Sequence, residues 1–149
     1  MKIRQAITSD VIDIVALLAD DELGSKRERY SNPLPQVYYD SFVKIEQDPN
    51  QHLIVAEENG EIVGTAQLSF IPYLTYQGGM RAQIEAVRIK SDRRGTGLGE
   101  KLFTWMIEKA KSNGAHVLQL TTDKKRPDAL RFYEKMGFLA THEGMKIHF

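Results

Sequence analysis

A glycine-rich turn is the segment whose residue types most directly indicate a chemical function. Three glycines fall within five positions of the run Arg93-Arg94-Gly95-Thr96-Gly97-Leu98-Gly99. The run lies between a strand pattern and a helix pattern, where free backbone N–H groups and the positive end of the helix dipole favour an anion. Glycine also lets a phosphate approach the backbone closely. The pattern therefore indicates a pyrophosphate site, although a turn that only reverses the chain has the same composition.

The elements that position this turn follow from hydrophobic periodicity. Residues 81–89 predict a strand, whose alternation places on one face Arg81, Gln83, Glu85, Val87 and Ile89. After the turn, a helix is predicted by the apolar stripe of Leu98, Leu102, Trp105 or Met106, and Ala110. A strand over 117–121 comes next, and a last helix is predicted from Pro127 to a cap at Gly137. The helix between the two strands predicts a crossover that makes them parallel.

The rest of the chain predicts a mainly antiparallel arrangement. Lys2–Ile7 is a strand candidate, a first helix runs to about residue 20, and a loop over 24–35 precedes a second helix carrying Phe42. Strands over 52–58 and 61–70 flank Asn59-Gly60, a strong hairpin signal. Residues 138–149 predict two short closing strands. The fold class expected is therefore mixed α/β, with a mainly antiparallel sheet flanked by helices.

Two other kinds of phosphate site fit the sequence less well. A P-loop requires Gly-Lys-Ser/Thr, which the turn does not contain. A dinucleotide fold places Gly-x-Gly-x-x-Gly near the start of a long alternating series, and Asp123 is a weak counterpart of its ribose-binding acid. Here the third glycine comes one position early, and about fifty residues are too few for a second nucleotide-binding half.

Two motifs together resemble those of the GNAT superfamily of N-acetyltransferases. Arg94-x-x-Gly97-x-Gly99 is similar to the superfamily's CoA-pyrophosphate signature, Gln/Arg-x-x-Gly-x-Gly/Ala. The segment from Ala129 to Phe138, ALRFYEKMGF, is similar to its late motif. The resemblance extends over the whole chain in element order. It implies one GNAT domain over 1–149, acetyl-CoA as the co-substrate, and a cleft between the two parallel strands, which splay apart at their ends.

The resemblance also assigns donor-binding residues. Backbone amides around the turn would hold the pyrophosphate, and the main chain of Val87 and Ile89 would pair with pantetheine like an added strand. Many relatives have an asparagine where this chain has Arg126, which with Lys124 and Lys125 is a candidate for a CoA phosphate or solvated surface. The donor-binding candidates are Val87, Ile89, Arg94, Gly95, Thr96, Gly97, Leu98, Gly99, Glu100 and Arg126.

Tyr133 and Glu85 are the catalytic candidates. Tyr133 occupies the position where the superfamily often has a tyrosine that protonates the departing thiolate, a role a phenol can fill because it is protonated at neutral pH. The alternative is a tyrosine that only packs on the sheet. Glu85 is the candidate base, because it lies on the strand expected to contact the donor and many relatives use a strand glutamate through ordered water. Its alternative is a structural carboxylate, either in a salt bridge to Arg81 or held by hydrogen bonds.

Composition excludes other chemistries. The chain has no cysteine, which removes disulfides, cysteine-ligated metals and a cysteine nucleophile. Its four histidines lack metal-ligand spacing, so no metal is expected. The formal net charge is zero, which gives no overall field for nucleic acid or anionic membrane. The N-terminus lacks an export pattern and no apolar run could span a bilayer, so we expect a soluble, cytoplasmic protein.

The predicted function is direct acetyl transfer from acetyl-CoA to a primary amine of a small molecule or peptide. The loop-helix region 23–39 and residues 70–80 are expected to border the acceptor, but their composition names no substrate. They carry Arg27, Arg29, Tyr30, Tyr38, Tyr73 and Tyr76. The choice between a monomer and a homodimer stays open. The alternative function is a catalytically silent domain that binds or senses acyl-CoA.

Overall fold

A computed structural model describes residues 1–149 as one five-stranded sheet flanked by helices. The strands are β1 (Lys2–Gln5), β2 (Gln51–Glu58), β3 (Glu61–Pro72), β4 (Met80–Ile89) and β5 (Val117–Leu120). The helices are α1 (Val11–Ala19), α2 (Gln36–Gln47), the short α3 (Thr75–Gly78), α4 (Leu98–Ser112) and α5 (Pro127–Lys135). No helix is both long enough and apolar enough to cross a bilayer.

The strand order is β1-β2-β3-β4-β5, with three antiparallel contacts followed by one parallel contact. The predicted hairpin turn is confirmed: Asn59 and Gly60 have φ values of 51° and 81°, as a two-residue turn of this type requires. The predicted crossover is confirmed as well, since α4 connects β4 to β5 and the two strands run parallel. The mixed, mainly antiparallel fold class is therefore correct.

The sheet buries a different helix layer on each face. On one face α4 packs against β2, β3 and β4, through a core that includes Leu68, Ile84, Phe103 and Met106. On the other face α1 packs on β3 and β4, and α2 packs on β2, through a second core that includes Phe42. Between β4 and β5 this face carries the polar side chains of Gln83, Glu85 and Gln119, and the site lies there.

A β-bulge at Ala86 corrects the predicted alternation of β4. Ala86 has a φ of 54°, and the register with β3 shifts between the pairs Gln67–Glu85 and Thr65–Arg88. One extra residue in a strand reverses which face the following side chains take. Val87 and Ile89 therefore pack on the α4 core with Ile84. The prediction that they share a face with Glu85 was wrong.

The closing strands predicted over residues 138–149 are also absent. The chain after α5 has no regular structure and forms no ladder with β5, so β5 is an edge strand. Four apolar side chains in this segment are largely exposed, namely Leu139, Met145, Ile147 and Phe149. Their alternation explains the strand prediction, but alternation does not supply a pairing partner.

Candidate active site

The glycine turn forms an open cradle at the start of α4. Gly95 and Gly97 have φ values of 75° and 83°, in the left-handed region that favours glycine. A Cβ built on either residue would meet no atom within 4 Å, so both face open space. Thr96 closes the turn by donating its hydroxyl to the carbonyl of Arg93 at 2.7 Å. Gly95 and Gly97, where any other residue would be strained, therefore lie beside an open space that fits a phosphate.

The backbone amides of this cradle are free. None of the N–H groups of residues 95–100 donates to a backbone or side-chain acceptor of the chain. The first amide that donates is that of Lys101, to the carbonyl of Gly97 at 3.2 Å. These amides begin a helix of 15 residues, whose dipole adds positive potential at the same end. Unpaired amides and the dipole together fit the pyrophosphate of an acyl-CoA.

A gap between β4 and β5 opens next to this cradle. The parallel ladder joins Arg81–Ile84 to Val117–Leu120 and ends there, whereas β4 continues to Ile89. The main chain of β4 beyond Ile84 is therefore unpaired on the β5 side. A ligand with amide groups can pair there as an extra strand does, which fits the pantetheine arm expected at Val87 and Ile89.

Two side chains already use the carbonyls of this open edge. Arg88 Nη1 donates to the carbonyl of Val87 at 2.8 Å, and Arg94 Nε donates to that of Ile89 at 3.1 Å. Arg94 also donates to the carbonyl of Asp20, at 3.2 Å. The Arg94 guanidinium thus ties the turn to β4 and to the end of α1. The side chain has a positioning role here, and its main chain remains beside the cradle.

Tyr133 lies on α5 with its ring in an aromatic cluster. Its centroid lies 5.5 Å from that of Phe103, 5.7 Å from Phe132 and 6.3 Å from Phe138. Burial raises the pKa of Tyr133, and the charges of Arg126 and Arg88 partly oppose that rise. The phenol is therefore protonated at neutral pH, as a proton donor must be. The ring also packs, so packing and catalysis are compatible in one side chain.

Glu85 lies at the end of a polar ladder on the face opposite α4. Arg81 Nη1 lies 3.5 Å from Gln119 Oε1, Gln119 Nε2 donates to Gln83 Oε1 at 2.6 Å, and Gln83 Nε2 donates to Glu85 Oε1 at 2.5 Å. The predicted salt bridge to Arg81 is not formed, and the Arg81 guanidinium stacks 4.3 Å from the ring centroid of Tyr73. The hydrogen bond from Gln83 fits the other alternative, a hydrogen-bonded carboxylate, so both the base and this structural role remain open. Glu85 is exposed and has no cationic partner.

Arg88 was not selected from the sequence, and the bulge explains why. Simple alternation assigned it to the α4 face, but the extra residue brings it to the face of Gln83 and Glu85. There its Nε lies 3.4 Å from Asp21 Oδ2, with an exposed side-chain fraction of 11%. Burial lowers the pKa of Arg88, and Asp21 opposes that shift. The group remains a cation at neutral pH.

Asp21 and Arg126 complete this charged group beside Tyr133. Burial by itself would raise the pKa of Asp21, but the Gly24 N–H and the charges of Arg88, Arg126 and Arg27 hold it below its usual value. Arg126 immediately precedes α5. Arg88 therefore pairs with the Asp21 carboxylate, and the positive charges of Arg126 and Arg27 also act on that carboxylate.

The chain belongs to the acetyltransferase (GNAT) family, which it matches over residues 16–138. It is an N-acetyltransferase that uses acetyl-CoA as the donor, and the free amides, the open strand edge and the half-buried phenol of Tyr133 fit that donor. No group of three or more histidine, aspartate or glutamate side chains is arranged to hold a metal ion. The resemblance read from the two motifs is confirmed.

Several known proteins are similar to this chain. An aminoalkylphosphonate N-acetyltransferase of Salmonella typhimurium is 32% identical over 142 residues, covering 95% of this chain and 86% of that protein. A glucosamine 6-phosphate N-acetyltransferase of Trypanosoma brucei brucei is 35% identical over 91 residues, covering 61% of this chain and 60% of that protein. The crystal structure of a transcriptional regulator from Bacillus halodurans C-125 has a TM-score of 0.96 and 57% identity, and each chain covers 99% of the other.

Proposed function

We propose that this enzyme acetylates the primary amine of a small molecule, with Tyr133 as the general acid and Glu85 as the general base. The observation that supports the proposal most is the half-buried Tyr133 phenol, whose pKa is affected by the charge of Arg88 on the part of β4 beyond its ladder with β5. The two related acetyltransferases act on small molecules in which an amine accompanies a phosphonate or a phosphate. Aminoalkylphosphonates are therefore the first acceptors to test.

Each of the two catalytic groups carries out one of the two proton transfers that the reaction requires. Acetyl-CoA supplies a thioester whose acetyl carbon an amine can attack. Glu85 takes a proton from the amine, directly or through a water, and Tyr133 gives a proton to the leaving sulfur. The N–C bond forms as the C–S bond breaks, and both side chains return to their starting states by exchange with solvent.

Donor binding is assigned to main-chain groups. The amides of residues 95–100 hold the pyrophosphate, and the open edge at Val87 and Ile89 pairs with the pantetheine arm. The carbonyls of Val87 and Ile89 each accept one hydrogen bond from a side chain already, but each has a second lone pair that can accept a hydrogen bond from the donor. Residues 1–149 act as one catalytic unit in this proposal.

The test is an acceptor panel that reports CoA release. Aminoethylphosphonate, β-alanine, propylamine and a peptide with a free N-terminus cover phosphonate, carboxylate, neutral and peptide amines. We expect turnover with the small amines, and product mass should increase by one acetyl group. Tight acetyl-CoA binding without turnover on any amine would contradict the proposal and favour the acyl-CoA-sensing alternative.

A further inference from the structure

The Arg88 guanidinium has hydrogen-bond donors without partners, although most of its side chain is buried and unpaired donors are unfavourable there. Its side chain is 11% exposed, and of the five donor hydrogens of a guanidinium one is used, by the carbonyl of Val87. Nε is buried without a hydrogen bond, since the approach to Asp21 at 3.4 Å lacks hydrogen-bond geometry. Because Nε faces Asp21, as the ion pair shows, the donors left for a further partner are those of Nη2, which makes no hydrogen bond within the chain.

The surroundings of Arg88 favour an anion as that partner. The charges of Arg27 and Arg126 both act on Arg88, against the single carboxylate of Asp21. Asp21 Oδ1 accepts a hydrogen bond from the Gly24 N–H at 2.5 Å, which holds the carboxylate beside Arg88 Nε, while Nη2 of Arg88 donates to no acceptor in the chain. A planar guanidinium positioned in this way can bind a phosphonate, phosphate or carboxylate through two parallel hydrogen bonds.

The position of Arg88 relative to the catalytic groups indicates which molecule carries the anion. The bulge places Arg88 on the same face as Glu85, three positions along β4, and its charge acts on the Tyr133 phenol. The free amides for the donor's pyrophosphate lie on the glycine turn instead. An anion at Arg88 is therefore close to the amine that Glu85 deprotonates.

We infer that Arg88 is the specificity-determining residue for the acceptor and binds an anionic group located a short chain away from the reacting amine. Arg27, on the loop after α1, adds charge to the same subsite from an exposed position. The inference rests on the proposed function for the identity of the reacting amine. It predicts that acceptors with an anion are preferred over isosteric neutral amines.

A binding measurement tests the subsite without requiring turnover. Aminoethylphosphonate is titrated by calorimetry into the protein saturated with CoA, which has no acetyl group to transfer. We expect Arg88→Gln to raise the Kd at least about 10-fold, as the loss of one charge-assisted hydrogen bond implies. Arg27→Gln, at an exposed residue where folding should survive, should raise it about 3-fold. Unchanged affinity in both folded variants would overturn the inference.

Two controls separate an anion subsite from other roles. Asp21→Asn removes the ion pair but keeps the guanidinium. If Arg88 had a purely structural role, Asp21→Asn and Arg88→Gln would lower kcat/KM equally. The loss would also be as large for propylamine as for aminoethylphosphonate. The inference predicts a kcat/KM loss in Arg88→Gln that is at least about 10-fold larger for aminoethylphosphonate than for propylamine. An equal loss of CoA affinity in Arg88→Gln would assign the guanidinium to donor phosphates and overturn it. Phosphonate binding that depends on Arg88 without acetylation would instead reject only the proposed function.

Discussion

Replacing Gly97 by valine should abolish donor binding while the fold survives. The residue has a φ of 83°, and an added Cβ would project into the open space that the free amides face. A left-handed conformation costs an L-residue roughly 1–2 kcal/mol, which the fold should tolerate. Blocking two charge-assisted amide bonds costs about 3 kcal/mol or more, so the Kd for acetyl-CoA should rise at least about 100-fold.

Gly114→Val is the matched control for this substitution. Gly114 follows α4 with a φ of 76° and also has no atom within 4 Å of an added Cβ. The two variants therefore carry similar backbone strain, and both melting temperatures should fall by several degrees. Calorimetric titration with acetyl-CoA should distinguish them, because the strain at Gly114 lies far from the cradle. Equal acetyl-CoA affinity in the two folded variants would refute the assignment of the pyrophosphate to the turn.

Three further predictions concern catalysis and stability. Tyr133→Phe keeps the aromatic packing and should lower kcat about 100-fold at unchanged acetyl-CoA affinity in steady-state assays; full activity would limit the tyrosine to packing. Glu85→Gln should lose most rate at low pH and recover part of it as free amine increases, whereas a deficit constant across a pH–rate profile would indicate positioning. Asp10→Asn should lose about 2 kcal/mol at pH 7, because Asp10 pairs with Arg4 at 2.6 Å. The Arg4 hydrogen bond lowers the pKa of Asp10, so urea unfolding should show this difference at pH 7 and lose it as pH falls through that lowered pKa; a difference that persists in acid would contradict it.

Local chemistry explains what the sequence could predict. Asn59-Gly60 requires only its own two residues to form a turn, and the apolar stripe of α4 requires only a sheet to pack on. The glycine turn was found for the same reason, since its φ values are permitted to few other residues. Tyr133 was located through the resemblance, because its packing against Phe103, Phe132 and Phe138 joins α5 to α4 by contacts that local sequence does not specify.

Long-range pairing explains what the sequence could not predict. Ala86 adopts a left-handed φ without being glycine or asparagine, so no residue type indicated the bulge. The error moved Arg88 to the wrong face and removed it from the candidate residues. The alternating apolar residues after Gly137 similarly predicted strands, although pairing depends on an edge that composition does not specify.

The bulge at Ala86 also has an evolutionary consequence. In the proposed site it separates the two kinds of contact that one strand offers: the side chains of Glu85 and Arg88 serve the acceptor, while the main chain at 87 and 89 pairs with the donor. Mutations at Arg88 can therefore change which amine is used, while Glu85 keeps its role as the base and the donor keeps contacts that do not depend on residue type. Duplicated copies of such a gene can diverge in substrate range by single codon changes, each starting from a chain that still binds acetyl-CoA.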